Sequence, residues 1–227
     1  MMAPAPPAVG VESRPRLRSE SNSTAKRDVY LTGFGKFQGV PVNPTSVMVQ
    51  QLTSNPFVTE AKVLETSAVG SLEMVAPLRA KAEASGRPAI FLHLGVSPGS
   101  RQFALERVAY NLANFMGMPD ERGYVAVNQV LDQNAAASIR TTIPVDVVLG
   151  RLRQANPNAR ASTDPGRFIC NFIYFHSLQW TQKMERSNSS QASSIQIFFI
   201  HTPMFREMKM ETQLEFLRTA IELLATM

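Results

Sequence analysis

Cys170 is the one thiol in this 227-residue chain, and it stands in STDPGRFICNFIYFHSL, where a strand pattern gives way through Asp164-Pro165-Gly166 to a helix pattern. The positive end of a helix macrodipole favours thiolate over thiol there, which is one way to make a nucleophile. A lone cysteine in apolar company is also often just a small hydrophobe, and the residues alone leave both readings open. Among the three histidines, His201 directly follows the apolar run IQIFFI and precedes Thr202-Pro203. It should therefore emerge at the carboxyl end of a strand, where α/β folds place their chemistry. His93 lies inside a buried strand pattern and reads as a core histidine bonded to backbone. His176, on an aromatic-rich helix, reads as structural. No two histidines share the spacing of helical metal ligands and there is no second thiolate, so no metal site is expected.

Two phenylalanines, Phe34 and Phe37, stand in the glycine-rich segment GFGKFQGV. That segment lacks the Gly-Lys-Ser/Thr ending of a phosphate loop and a full dinucleotide fingerprint, so nucleotide binding is not expected. The two rings either cap the core or line a ligand site. Glu106, beside Arg107, reads in isolation as half of a surface ion pair.

The elements that would position these residues follow from apolar periodicity. Strands are expected at 29–32, 61–66, 89–94, 159–163 and 195–200. The third, AIFLHL, is almost continuously apolar, as in strands buried on both faces. Helices are expected from Asn43-Pro44 to about Ser54, over 72–83, from Pro144 onward, over 168–182, and on the stripe Leu214, Leu217, Ile221 and Leu224. Asn as cap and Pro at the first helical position make the 43–44 start explicit. Such alternation implies a single-domain α/β/α sandwich around a mostly parallel twisted sheet. Residues 101–123 read as a long irregular stretch, of the length that carries function or an excursion such as a hairpin. Residues 185–194 read as an exposed Ser-rich loop.

Composition sets outer limits. Hydrophobic residues are 44% of the chain, yet no apolar run approaches the roughly 20 residues of a membrane-spanning helix. One cysteine excludes an intramolecular disulfide. The net charge is +5, of which the first 27 residues carry +3 on five basic and two acidic side chains. This leader is rich in Ala, Pro, Ser and Arg without an apolar face and is expected to be disordered. Its glutamates and prolines argue against an amphipathic targeting helix, and it has no apolar core of signal-peptide length, so a cytoplasmic setting is expected. The body, 28–227, is nearly neutral. No aromatic-basic interleaving supports nucleic-acid binding, and neither a nucleic acid nor a membrane is expected as partner.

Three blocks of the body resemble the type I pyroglutamyl peptidases: YLTGFGKFQGVPVNPT at 30–45, HLGVSPGSRQFALERVAYN at 93–111, and TDPGRFICNFIYFHSL at 163–178 with FFIHTP at 198–203. The resemblance spans almost all of 28–227 and implies a cysteine omega-peptidase without cofactor, acting on peptides with an N-terminal pyroglutamate through a thioester acyl-enzyme. It implies Cys170 as nucleophile, His201 as general base then acid, and Glu106 as the group that orients the imidazole. It further implies that Phe34 and Phe37 sandwich the lactam ring, that Asn43 helps position the ring carbonyl, and that main-chain groups near Val96 bond the lactam. Phe168 and Ile169 would close the pocket. A neutral lactam suits such a flat apolar site, whereas an ordinary aminopeptidase offers carboxylates to an ammonium.

The chain departs from the family pattern in several places. Val96 stands where many relatives have Gln, and Met116-Gly117-Met118 where bacterial relatives place Arg. Pro165 replaces the usual Ala, and the Ser-rich run before His201 is longer than usual. The alternative class is a non-peptidase descendant on the same scaffold, a binding protein or a small-amide hydrolase. Oligomeric state is not legible at this level.

Overall fold

The computed structural model describes residues 1–2, 26–187 and 194–227. In chain order the elements are β1 (Asp28–Phe34), α1 (Pro44–Leu52), β2 (Val58–Leu64), α2 (Ala68–Ser85), β3 (Ala89–Val96), β4 (Phe103–Glu106), β5 (Val108–Tyr110), β6 (Ser138–Arg140), α3 (Val145–Ala155), β7 (Ala159–Ser162), α4 (Ile169–Arg186), β8 (Ile195–Thr202) and α5 (Met210–Thr226).

Side chains alternate across a strand, so each strand sends every second residue to the same layer. Val29, Leu31, Ile90, Leu92, Leu94, Phe103, Leu105, Phe198 and Ile200 pack with the apolar stripes of α1, α3 and α5. Tyr30, Phe34, Phe91, Ile195, Ile197 and Phe199 pack on the other face with α2 and α4. This is the expected α/β/α sandwich, and β3 is buried along its whole length, as its apolar run requires.

The central sheet has the order β2-β1-β3-β8-β4-β7. The first four strands are parallel to one another. β4 pairs antiparallel with β8 and parallel with β7, so the last two strands run against the rest. β4 lies in the stretch expected to be irregular. Four residues, FALE, all buried, show no period that a sequence pattern could register. Its direction follows from the connection 97–102, which is too short for the crossover of a dozen or more residues that a parallel return needs. The excursion expected here is also present: β5 and β6 pair antiparallel, with 111–137 between them.

Local signals place most helix starts. Asn43 caps α1, its Oδ1 accepting from Thr45 N at 3.0 Å, with Pro44 as the first helical residue. Pro144 is instead the cap of α3, which begins at Val145. α2 starts ahead of the expected Leu72 because Ser67 caps it, accepting from Gly70 N at 3.0 Å, while Asp120 Oδ2 accepts from Ala68 N at 2.8 Å. α4 continues through Arg186, so the Ser-rich run begins inside a helix. Residues 188–193 of that run, and 3–25 of the leader, lie outside the described residues. At the end of that leader, expected to be disordered as a whole, Arg27 N donates to Ala225 O at 2.9 Å and Lys26 Nζ to Pro56 O at 2.6 Å. Among the described residues no helix is long and apolar enough to cross a membrane.

His93 is a core histidine, but side-chain hydroxyls hold it, because β1 and β8 on either side of β3 already occupy the local backbone groups. Its Nδ1 lies 2.6 Å from Thr32 Oγ1 and its Nε2 3.0 Å from Ser177 Oγ. Burial, reinforced by the Arg79 guanidinium, pushes its pKa down to about 3, so it is neutral in the folded protein.

Candidate active site

Alternation along the strands sends Gly95 of β3, His201 of β8, and Ala104 and Glu106 of β4 to the face covered by α4. Gly95 and Ala104 flank His201 in register on either side. Cys170 is the second residue of α4, after the cap residue Phe168, which makes no side-chain capping bond. The first-turn amides, Cys170 N–H among them, are therefore left without a side-chain cap.

The thiol lies over Gly95. A Cβ placed at Gly95 would be 2.9 Å from Cys170 Sγ and 2.8 Å from the Phe199 ring, contacts too close to keep. Phe199 is fully buried and cannot swing away. Gly95→Ala is therefore expected to displace the thiol from His201, cutting kcat at least about tenfold and costing about 1–3 kcal/mol of stability. Wild-type kcat and an unchanged melting temperature in this variant would contradict the close approach.

His201 Nδ1 lies 2.9 Å from Glu106 Oε1, with the two side chains 9% and 1% exposed. Burial disfavours a charged ring here. The hydrogen bond from the Cys170 side and the Glu106 carboxylate outweigh it and raise the imidazole pKa to about 9. Glu106 Oε2 is buried with no partner among the described residues. The main-chain carbonyl of Glu106 accepts from Tyr174 OH at 2.9 Å, and Tyr174 lies one turn beyond Cys170 on α4. One helix thus carries the thiol and anchors the strand end that carries the carboxylate. Arg107 faces away and pairs with Asp146, so the surface-pair reading of Glu106 with Arg107 does not hold.

This set opens into a cavity of about 390 Å³. Phe34, Phe37, Val96, Met118 and Phe168 form much of its apolar wall, and Asn43, Thr66, Cys170 and His201 are among its polar lining. Phe34 is 1% exposed, so it is both core and wall, offering only an edge. The partly exposed rings are Phe37 and Phe168, with centroids 6.3 Å apart and planes at 48°. Asn43 spends Oδ1 on its cap and one Nδ2 hydrogen on Gly35 O at 3.0 Å, leaving one N–H. Ile169 does not line the cavity: it is 0% exposed in the core under α2 and α4. Consecutive helix residues diverge by about 100°, so with Cys170 facing the cleft Ile169 turns inward.

Thr66, Ser97 and Arg160 also line the cavity without any mark in the sequence, and Met118, Asp164 and Pro165 join them. Thr66 Oγ1 donates to the same Gly35 carbonyl at 3.0 Å, fixing the loop that carries Phe37. Met118 stands in the segment where the resemblance would have placed an arginine. No local pattern marks Thr66, Ser97 or Arg160, since segments far apart in the chain meet only when the sheet forms.

The chemistry available is acyl transfer to a thiol beside an aromatic wall. A family model described as pyroglutamyl peptidase matches residues 27–224. The pyrrolidone-carboxylate peptidase of Pseudomonas fluorescens is 28% identical over 181 residues, 80% of each chain. That of Brevibacillus brevis is 27% identical over 209 residues, covering 86% of this chain and 92% of its own. Among solved structures, the pyrrolidone carboxyl peptidase of Fervidobacterium islandicum superposes with a TM-score of 0.70 at 27% identity, over 88% of this chain and 96% of that one. The enzyme of Thermococcus litoralis gives a TM-score of 0.73 at 21% identity, over 87% and 92%, a likeness of fold.

Proposed function

The chain belongs to the pyroglutamyl peptidase family, and from that premise we propose that it cleaves the amide bond after an N-terminal pyroglutamate with Cys170, His201 and Glu106 as its catalytic set. The observation that carries the assignment is the buried Glu106–His201 bond of 2.9 Å with the thiol on the other side of the imidazole.

The Cys170 thiolate attacks the pyroglutamyl carbonyl carbon, forming a C–S bond and moving an electron pair onto oxygen. Cys170 N–H and the positive end of α4 stabilise that oxyanion, with no cation from the Met118 segment. The His201 imidazolium gives its proton to the leaving nitrogen as the C–N bond breaks, and a thioester remains. His201 then takes a proton from water, which attacks the thioester. Pyroglutamic acid leaves and the thiol is restored, one water consumed. Glu106 holds the tautomer throughout. No cofactor enters any step.

In this reading Phe37 and Phe168 flank the lactam, the edge of Phe34 and Val96 close the floor, and Asn43 offers its remaining N–H to the ring carbonyl. Residues 28–227 are the catalytic unit. A cytoplasmic setting suits a lone nucleophilic thiol, which a reducing compartment keeps reduced. The test compares a pyroglutamyl with a prolyl fluorogenic amide, which differ by the ring carbonyl and the charged amine. Release from the first alone is expected; equal release, or none from the folded protein, overturns the assignment.

A further inference from the structure

Arg160 is a cation that the proposed hydrolysis of a neutral lactam does not use. It is exposed on β7, it lines the catalytic cavity, and its side chain makes no hydrogen bond or ion pair with any described residue. Strand register fixes where it stands. Gly95, His201, Ala104 and Arg160 form one lateral row across β3, β8, β4 and β7, all on the α4 face. Adjacent strands are about 4.8 Å apart, so Arg160 is two strands from His201 with only the methyl group of Ala104 between them.

The row also has a chemical direction. The thiol sits over Gly95, and the aromatic wall belongs to β1, its following loop and the start of α4. His201, which protonates the leaving amine, stands on the opposite side of the thiol from β1. The leaving peptide therefore departs over Ala104, toward Arg160. Of the nearby carboxylates, Glu106 bonds His201 through Oε1, and Asp164 Oδ1 bonds Arg167 at 2.6 Å and Gly166 N at 3.1 Å; neither pairs with Arg160.

Resting on the hydrolytic reading above, we propose that Arg160 is a specificity residue that binds a carboxylate just beyond the scissile bond. That carboxylate is either an acidic side chain next to pyroglutamate or the free terminus of a pyroglutamyl dipeptide. A guanidinium meets a carboxylate through two parallel N–H···O bonds, which makes it selective for this group over an amide of equal size.

The experiment measures kcat/KM ratios. One arm sets pyroglutamyl-Glu-Ala-amide against pyroglutamyl-Gln-Ala-amide, and the other pyroglutamyl-Ala as free acid against its amide. Wild type is expected to favour the carboxylate in at least one arm by about tenfold, the arm identifying the source. Arg160→Gln is expected to bring that ratio to about one, and Arg160→Lys to retain part of it, since the charge survives without the fork. A wild-type ratio of one in both arms, or a ratio that Arg160→Gln leaves unchanged, overturns this inference alone. Failure to cleave any pyroglutamyl peptide overturns it together with the reading it rests on.

Discussion

Replacement of Cys170 by alanine is expected to lower kcat for pyroglutamyl amides by about 10⁴-fold or more, with the fold retained. The covalent route needs a polarisable nucleophile over Gly95, and among the described residues lining the cavity none offers a second thiol. Water attack in the emptied site would keep only the help of the first-turn amides and the aromatic wall. Cys170 is half-buried at the start of α4, so loss of its sulfur removes little core volume, and the melting temperature should move by only a few degrees. Rates and melting curves on the same preparation separate chemistry from unfolding. Residual activity within tenfold of wild type would remove Cys170 from the mechanism.

The second large effect is expected at Glu106. Glu106→Gln keeps the volume but removes the charge and turns one oxygen into an N–H₂, so the imidazole can settle in the wrong tautomer. A loss of about 10³-fold in kcat follows, with KM nearly unchanged, because Glu106 acts on the proton carrier more than on the lactam. The pH profile distinguishes this from a packing defect. With the Glu106 charge gone, His201 holds its proton less tightly, and the alkaline limb of kcat/KM moves to lower pH.

Stability carries the same signature. The folded His201 pKa, about 9, lies above the ordinary value of 6.5. Its stabilising contribution is therefore full below about pH 6.5 and is lost as pH rises toward 9. The slope of denaturation free energy across that window should flatten in Glu106→Gln. An unmoved alkaline limb and an unchanged slope would mean that the carboxylate does not govern the imidazole.

How legible these residues were in the chain depended on what made each one visible. Asn43 announced its own role, since a cap is a contact between near neighbours. His201 could be placed at a strand end because IQIFFI is long and apolar enough to be a buried strand by itself. β4 is too short to show a period, so Glu106 read in isolation as a partner of Arg107. Only the resemblance of its neighbourhood to a family gave it a catalytic role. The resemblance pairs Ile169 with Phe168 as pocket lining, whereas the turn of the helix sends Ile169 into the core.

Local features are legible along the chain: the apolar runs and stripes that make layers of strand and helix, the cap of α1, the thiol at a helix start, and three blocks that resemble one family. The tertiary structure alone decided what depends on pairing. Antiparallel return of β4 beside β8 brings Glu106 to His201, although 95 residues separate them along the chain. Pairing of β4 with β7 as well lines Arg160 up with His201 across a single alanine. Both facts rest on register, a property of two strands together, which no one segment encodes.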